Sequence, residues 1–333
     1  YYLILNLIKF NIFIMETVKC NFCKSVKHKI VATQTDIVHH ETNINFNIVE
    51  CEGCGLNFTN PRPTINEIHK FYPKNYAFFK KENLFLNLAR NFSSYLANSF
   101  LGYFFSFVPF INKKLKSLIR GELKNPIILN KDEHFLDIGA GSGETSYWWG
   151  YKGSVKYYNK ISKNIFAVEP DLNSQNELSK KKIKVFKTIE DVPYNLSFNF
   201  IRMNWSLEHV HDPEKYFKFF EDHLKPEGKV IIAIPNYSGL IYLMDKNHVE
   251  LPIHLFHFKI RDIENFSNRF NLFINKYETF SFASMFYFAS YINDNFKKFK
   301  EYSLIDLKLF QKNLKELDKF NLGNDMIIEL KKK

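Results

Sequence analysis

Three sets of residues in this 333-residue chain have the types and spacing to do chemistry. The first is cysteine. Cys20, Cys23, Cys51 and Cys54 form two C-x-x-C pairs with 27 residues between them and no cysteine left over. Two thiolate pairs on two tight turns supply the ligands of a closed tetrahedral zinc site, which is structural rather than catalytic. The gap is longer than the roughly 15–20 residues of a common ribbon, and a β-hairpin can fill it. The second set is an acid followed by glycines, Phe-Leu-Asp-Ile-Gly-Ala-Gly-Ser-Gly over 135–143, with a second acid at Glu169. The third is histidine: His209 beside Glu208, and His254 with His257 in Pro-Ile-His-Leu-Phe-His-Phe over 252–258.

The glycine stretch fixes the elements that must position it. Phe135–Ile138 reads as a buried strand carrying Asp137. Gly139, Ala140, Gly141, Ser142 and Gly143 then turn into a helix, and glycine lets backbone approach a ligand closely. Strand, glycine turn and helix make a nucleotide-cofactor site of the doubly wound kind. A dinucleotide fingerprint needs G-x-G-x-x-G, and Glu144 stands at the third glycine. A carboxylate at a helix N-terminus opposes a pyrophosphate there. The pattern therefore points away from NAD and toward a cofactor without phosphates, and S-adenosylmethionine fits. A second strand, Ile165–Val168, ends in Glu169, which can accept hydrogen bonds from both ribose hydroxyls. Asp137 is expected near the methionyl ammonium, through water. A fourth strand, Phe198–Met203, ends at Asn204 and Trp205. Both are assigned to the cofactor side, with Trp205 walling the adenosine or the acceptor.

In chain order the motifs are Leu-Asp-Ile-Gly-Ala-Gly-Ser-Gly (136–143), Val-Glu-Pro-Asp (168–171), Ser-Leu-Glu-His-Val-His-Asp-Pro (206–213) and Leu-Lys-Pro-Glu-Gly (224–228) before Val230–Pro235. This series resembles the class I S-adenosylmethionine-dependent methyltransferases of the branch with an N-terminal zinc ribbon, over about residues 16–270. The stretches at 54–63 and 71–76 continue the likeness. Residues 251–258 are similar to the Tyr-x-Glu-His-x-x-Tyr-Phe stretch of zinc-ribbon deoxysugar methyltransferases, whose histidine and glutamate take part in catalysis. The resemblance implies that His254 is a base or substrate-orienting group. Leu251 and Ile253 replace the tyrosine and glutamate, and His257 stands at the second tyrosine. His209 is the second candidate base, against a purely structural role in which Glu208 and His209 cap and pack the next helix. In ubiquinone-type O-methyltransferases a stretch like 205–210 supplies a magnesium site through a further glutamate, and Trp205 occupies that position here. The Asn/Asp-Pro-Pro-Tyr of amino-methylating enzymes is absent, which argues against exocyclic amines of bases as acceptors.

Composition adds bounds. Lys plus Arg is 46 and Asp plus Glu is 35, for a net charge of +11. The lysines are spread along the chain, so nucleic acid is not the favoured partner despite the charge. Residues 1–14 are apolar, lack a basic start and are too short to span a bilayer, and Met15 reads as the natural start. Residues 82–120 have helical spacing. Their serines and asparagines favour a linker helix roofing the substrate pocket over a peripheral membrane helix. A cofactor-dependent transferase is expected in the cytoplasm, where disulfides are rare; disulfides or a redox pair are the alternatives to zinc for the thiols.

The expected architecture is α/β. A four-cysteine zinc ribbon at 16–75 and a helical linker at 76–125 precede a Rossmann-like seven-stranded methyltransferase sheet at 126–333, its last strand antiparallel, with a helical insertion at about 284–322. The expected reaction is methyl transfer from S-adenosylmethionine to a small-molecule or glycan acceptor, a sugar or nucleotide-sugar by analogy, at oxygen or carbon. An RNA methyltransferase and a non-catalytic cofactor-binding module are the rivals.

Overall fold

The computed structural model describes residues 13–73, 127–143, 153–244, 250–281 and 304–333. The expected linker helix and much of the expected insertion lie outside these residues. So does the helix expected to follow the glycine turn.

The main sheet has seven strands in the order β12-β13-β10-β9-β6-β7-β8. In its interior β6 (Phe135–Ile138) is flanked by β7 (Ile165–Val168) and β9 (Phe198–Asn204), all parallel. All four residues of β6 are buried, as a strand covered on both faces requires. β8 (Lys184–Phe186) and β10 (Leu224–Pro235) extend the parallel part on either side. β13 (Asp325–Lys332) runs antiparallel between β10 and β12 (Leu272–Phe280), so the expected antiparallel last strand is present. Strand order reverses around β6, and the carboxyl ends of β6, β7 and β9 flank the crevice where such sheets bind ligands.

Helices join these strands with local caps. Ser154 accepts from the Tyr157 amide to start α1 (Val155–Ile161), and Asp171 accepts from Ser174 to start α2 (Leu172–Lys180). α3 (Pro213–His223) begins with Pro213 and is capped by Asp212. Glu208 and His209 are therefore not its caps. The remaining described α-helices are α4 (Leu240–Met244), α5 (Ile260–Arg269) and α6 (Leu304–Asp318), and Glu208 and His209 lie on a 3-10 turn, Leu207–His209.

The N-terminal part is antiparallel. β1 (Met15–Glu16) pairs with β5 (Arg62–Pro63). β2 (His28–Gln34), β3 (Phe46–Cys51) and β4 (Asn57–Thr59) form a meander. The first of these starts beside the cysteine turns, where His28 pairs directly with Cys51. Residues 35–45 are a loop, in which the Asp36 carboxylate accepts from the His39 and Glu41 amides. β11 (Phe256–His257), far along the chain, adds to β4 as the fourth strand of this sheet. Cys20, Val49 and Phe58 also share one buried cluster with Phe217, Phe256 and Phe266. The ribbon thus packs as one wall of the larger domain.

Candidate active site

The cofactor side is built at the carboxyl ends of β6 and β7. Gly139, Gly141 and Gly143 have φ of +74°, +54° and +67°, a region that favours glycine. A Cβ on Gly139 would lie 2.2 Å from Ser206 Oγ, so the turn after β9 packs directly on the glycine turn. Glu169 is buried, and its carboxylate accepts from the Gly141 amide at 2.7 Å and the Asp171 amide at 2.9 Å. Burial pushes its carboxyl up to about 7, and the charges of Asp171 and Asp137 add to the rise against those two backbone bonds. A carboxylate has about four acceptor positions, so two remain for ribose hydroxyls.

Asp137 has a partner within the protein. It is 4% exposed and lies opposite Arg202 in the β6–β9 register. Arg202 Nε donates to Oδ1 and Nη2 to Oδ2, both at 2.7 Å. The guanidinium also donates to the Gly153 carbonyl and lies over the Phe135 and Tyr158 rings. A bidentate pair in this geometry satisfies the carboxylate internally, so its first use is to tie two central strands together. The sequence signal was available: Arg202 is the one cation in the otherwise uncharged Phe198–Asn204 strand.

The Ala140–Ser142 backbone continues the turn, and Lys181 Nζ donates to the Ser142 carbonyl at 3.1 Å. Asn204 ends β9 with a buried Oδ1 that has no hydrogen-bond partner among the described residues. Trp205 follows at φ +45°, and its indole donates to Asp325 Oδ1 at 3.0 Å. That bond holds the ring at the junction of β9 and β13, packed against the cluster containing Phe135 and Ala233.

The acceptor side is assembled from distant segments. His209 and His254 meet edge to face, with ring centroids 4.7 Å apart at 86°. His209 Nδ1 is 3.0 Å from the Ile253 carbonyl and 3.1 Å from Tyr72 Oη. His254 is 8% exposed, and its Nε2 lies 3.9 Å from Glu250 Oε2. The same Glu250 oxygen is 3.0 Å from His39 Nε2, placed there by the Asp36 loop. Glu208 lies 1% exposed beside them, its Oε1 4.0 Å from His209 Nε2.

Burial drives the titration of this cluster. It pushes His209 down to about 4 and His254 well below its ordinary value, with the neighbouring imidazole adding to the latter. Both rings are neutral at pH 7. Burial would push Glu250 up, but the His39 hydrogen bond and the His254 and His39 charges outweigh it and hold the carboxyl at about 2. Burial pushes Glu208 well above the usual carboxylate range.

His257 falls outside this group. Its Nε2 is 3.1 Å from Thr59 Oγ1, and burial pushes it down to about 3. It is a core histidine that joins β11 to the ribbon. Thr59 also donates to the His254 carbonyl at 2.7 Å, so the ribbon braces the His254 backbone from below. Sequence reasoning missed His39, Tyr72 and Glu250. Tyr72 sits in a stretch with a family likeness, whereas His39 and Glu250 have no local signal.

The four cysteine sulfurs lie within 4.8 Å of one another, with Cys20–Cys54 at 3.5 Å and Cys23–Cys51 at 3.3 Å. Thiolates around a tetrahedral zinc sit about 3.8 Å apart, given Zn–S bonds of about 2.3 Å. The two turns match: the Lys24 amide donates to the Cys20 carbonyl at 2.9 Å and the Gly55 amide to that of Cys51 at 2.8 Å. A Cβ on Gly53 would reach to 3.2 Å from Cys23 Sγ, so the second turn leaves little room near the sulfurs. The donor set and spacing fit zinc.

The strand order, the glycine turn and the acid ending the second strand define a class I S-adenosylmethionine-dependent methyltransferase. A family model described as a methyltransferase domain, Methyltransf_23, matches residues 110–276, half of the chain, and the chain belongs to that family. No match was found among curated proteins. Among solved structures the chain is similar to a possible histamine N-methyltransferase from Thermotoga maritima, at 15% identity and a TM-score of 0.40, covering 75% of this chain and 98% of that one. It is also similar to an S-adenosylmethionine-dependent methyltransferase from Mesorhizobium loti, at 12% identity and a TM-score of 0.41, covering 61% and 93%. A third is the O-methyltransferase of a Brevibacillus brevis polyketide multienzyme in complex with S-adenosyl-L-homocysteine, at 15% and 0.37, covering 60% and 66%. Likeness at this level carries no argument about the acceptor. No helix among the described residues is long and apolar enough to cross a membrane.

Proposed function

We propose that this methyltransferase acts on a hydroxyl or an acidic carbon of a small-molecule or glycan acceptor, held between the ribbon wall and the carboxyl ends of the sheet. The observation that carries this reading is the buried His209–His254 pair, ring centroids 4.7 Å apart, with Glu250 Oε2 3.9 Å from His254 Nε2. Asp137, Gly139, Ala140, Gly141, Ser142, Gly143, Glu169, Asn204 and Trp205 form the cofactor side. S-adenosylmethionine, when bound, supplies a methyl group already activated on a sulfonium. The residues of the chain then have two tasks, orientation and proton removal.

His254 takes the acceptor proton as the new bond to the methyl carbon forms and the old carbon–sulfur bond breaks. The imidazolium produced faces Glu250, which stabilises it, and His39 holds Glu250 in turn. Glu250 thereby fills the role that the resemblance assigns to position 253, from one turn upstream. Tyr72 and the Ile253 carbonyl fix the orientation of His209. The four cysteines hold one structural zinc that maintains the ribbon wall. The ribbon gives Tyr72 and His39 to this cluster and a strand to the shared sheet, which favours a small acceptor over an RNA docked on a separate module.

The test is a panel of nucleotide sugars, free sugars and hydroxylated small molecules with radiolabelled S-adenosylmethionine, with a pool of unmodified RNA as the opposing arm. Label in a sugar or small hydroxylated product, lost in His254→Gln, supports the reading. Label in the RNA alone, or transfer that His254→Gln leaves intact, overturns it.

A further inference from the structure

One buried feature of the acceptor cluster is unexplained by proton transfer. Glu208 is almost completely enclosed, yet neither carboxylate oxygen has a hydrogen-bond partner among the described residues. Burying a polar group without a partner is costly, and burying an unpaired charge more so. Natural sites relieve that cost with a proton or a cation.

The neighbours of Glu208 are arranged for the cation. The Ile253 carbonyl can only accept, so the His209 nitrogen 3.0 Å from it, Nδ1, carries the ring proton. Tyr72 Oη shares that nitrogen. His209 Nε2 is left with its lone pair, 4.0 Å from Glu208 Oε1 and too far for a hydrogen bond. This is the arrangement in which metal-binding imidazoles are held, one nitrogen donating to a carbonyl and the other presented to the ion. The His254 ring makes no hydrogen bond among the described residues and stands against His209. One ligand atom from each of Glu208, His209 and His254 lies within 4.8 Å of the others.

We propose that Glu208, His209 and His254 form a site for one divalent cation, separate from the cysteine cluster and open toward the acceptor. Two imidazoles and a carboxylate suit manganese, iron or zinc better than magnesium, which prefers oxygen. The ligand atoms close by roughly 1 Å to reach metal bonds of about 2.1 Å. Three protein ligands leave a coordination position free, unlike the four thiolates. An acceptor oxygen entering it is made more acidic by the ion. Its proton then passes to Glu250 or to water as the carbon–oxygen bond forms. The inference rests on the acceptor reading above for the site and the acceptor; with the ion bound, the His254 lone pair is a ligand, so Glu250 or water takes the proton that His254 takes without it.

Manganese distinguishes the two clusters, because it favours nitrogen and oxygen ligands over thiolates. The protein with its zinc in place is titrated with Mn(II), and free ion is followed by electron paramagnetic resonance. One manganese per chain is expected. In Glu208→Gln and in His254→Gln its affinity falls about tenfold or more, as the loss of metal-site residues does elsewhere. The dissociation constant for S-adenosylmethionine changes less than about twofold in both variants, which shows that they are folded. Wild-type protein that binds no manganese at millimolar concentration overturns the proposal, as does binding that both variants retain. Methyl transfer by protein free of this ion would remove the cation and leave the acceptor reading. Bound manganese with no transfer to any hydroxylated acceptor would do the reverse.

Discussion

The two halves of the site are built in opposite ways. On the cofactor side, the charged and indole groups are satisfied within the protein, Asp137 by Arg202, Glu169 by two backbone amides and Trp205 by Asp325, and Asn204 Oδ1 is the exception. On the acceptor side, Glu208 has no hydrogen-bond partner among the described residues and Glu250 stands 3.9 Å from the His254 ring. A cofactor common to many enzymes is met by a cradle held rigid before it arrives. An acceptor peculiar to one enzyme is met by groups whose bonding is completed by the ligand. The contrast predicts that breaking the first half costs stability or cofactor affinity, whereas breaking the second costs turnover.

The largest effect is expected at the Asp137–Arg202 pair. Arg202→Met leaves a buried carboxylate uncompensated, which costs about 3–5 kcal/mol in comparable pairs. Denaturant unfolding measures it, and the double variant Asp137→Asn with Arg202→Met should recover much of the loss. A single variant as stable as wild type would show that the pair does not hold β6 to β9.

Glu169 comes next. Each charged hydrogen bond to ribose is worth about 1.5–3 kcal/mol, so Glu169→Gln should weaken S-adenosylmethionine binding roughly tenfold or more. The pH dependence has a definite sign. The Glu169 carboxyl sits at about 7 in the folded protein, above its ordinary 4.5. Its contribution to stability is therefore full below about 4.5 and lost as pH rises through 7. Ribose hydroxyls favour the ionised form, so cofactor affinity should rise with pH across the same interval. Calorimetric titration from pH 6 to pH 8 checks this. Glu169→Gln should give a flat profile, and a flat wild-type profile would put the ribose elsewhere.

How much of this was legible in the sequence follows the same division. The cofactor half is written in contiguous segments, since a strand, a glycine turn and a strand-ending acid each announce themselves locally. Ile165–Val168 and Phe135–Ile138 have the bounds that the sequence suggests. Arg202 was readable only as a charge in the wrong place, because its partner lies 65 positions away. The acceptor half draws on residues 39, 72, 208, 209, 250 and 254. No periodicity links His39 to Glu250 across 211 positions. The addition of β11 to the ribbon sheet was equally unreadable: a two-residue strand carries no pattern, and only pairing with β4 defines it.

Glu250→Gln should leave cofactor affinity unchanged and lower kcat, by about 1.5–3 kcal/mol for a charge-assisted contact made when His254 is protonated. An unchanged kcat with a raised KM would mean that Glu250 only binds acceptor.

The smallest effect belongs to His39, and it bears most directly on whether the ribbon takes part in the chemistry. His39 touches Glu250 from a loop of the ribbon, and the pair is partly open to solvent. Burial pushes His39 down, but Glu250 outweighs it and leaves the ring above its usual 6.5. Glu250 is ionised above about 2. The ion pair is thus intact from about pH 2 upward and is lost as pH rises through the His39 value. A partly exposed pair is worth about 0.2–1 kcal/mol, so His39→Asn should lower kcat by at most roughly fivefold. A purely structural role would lower activity equally at every pH. Positioning of Glu250 predicts instead that wild-type kcat loses an increment above the His39 value, and that His39→Asn removes this step while retaining cofactor binding. If the step persists in the variant, the ribbon supports the site without tuning it.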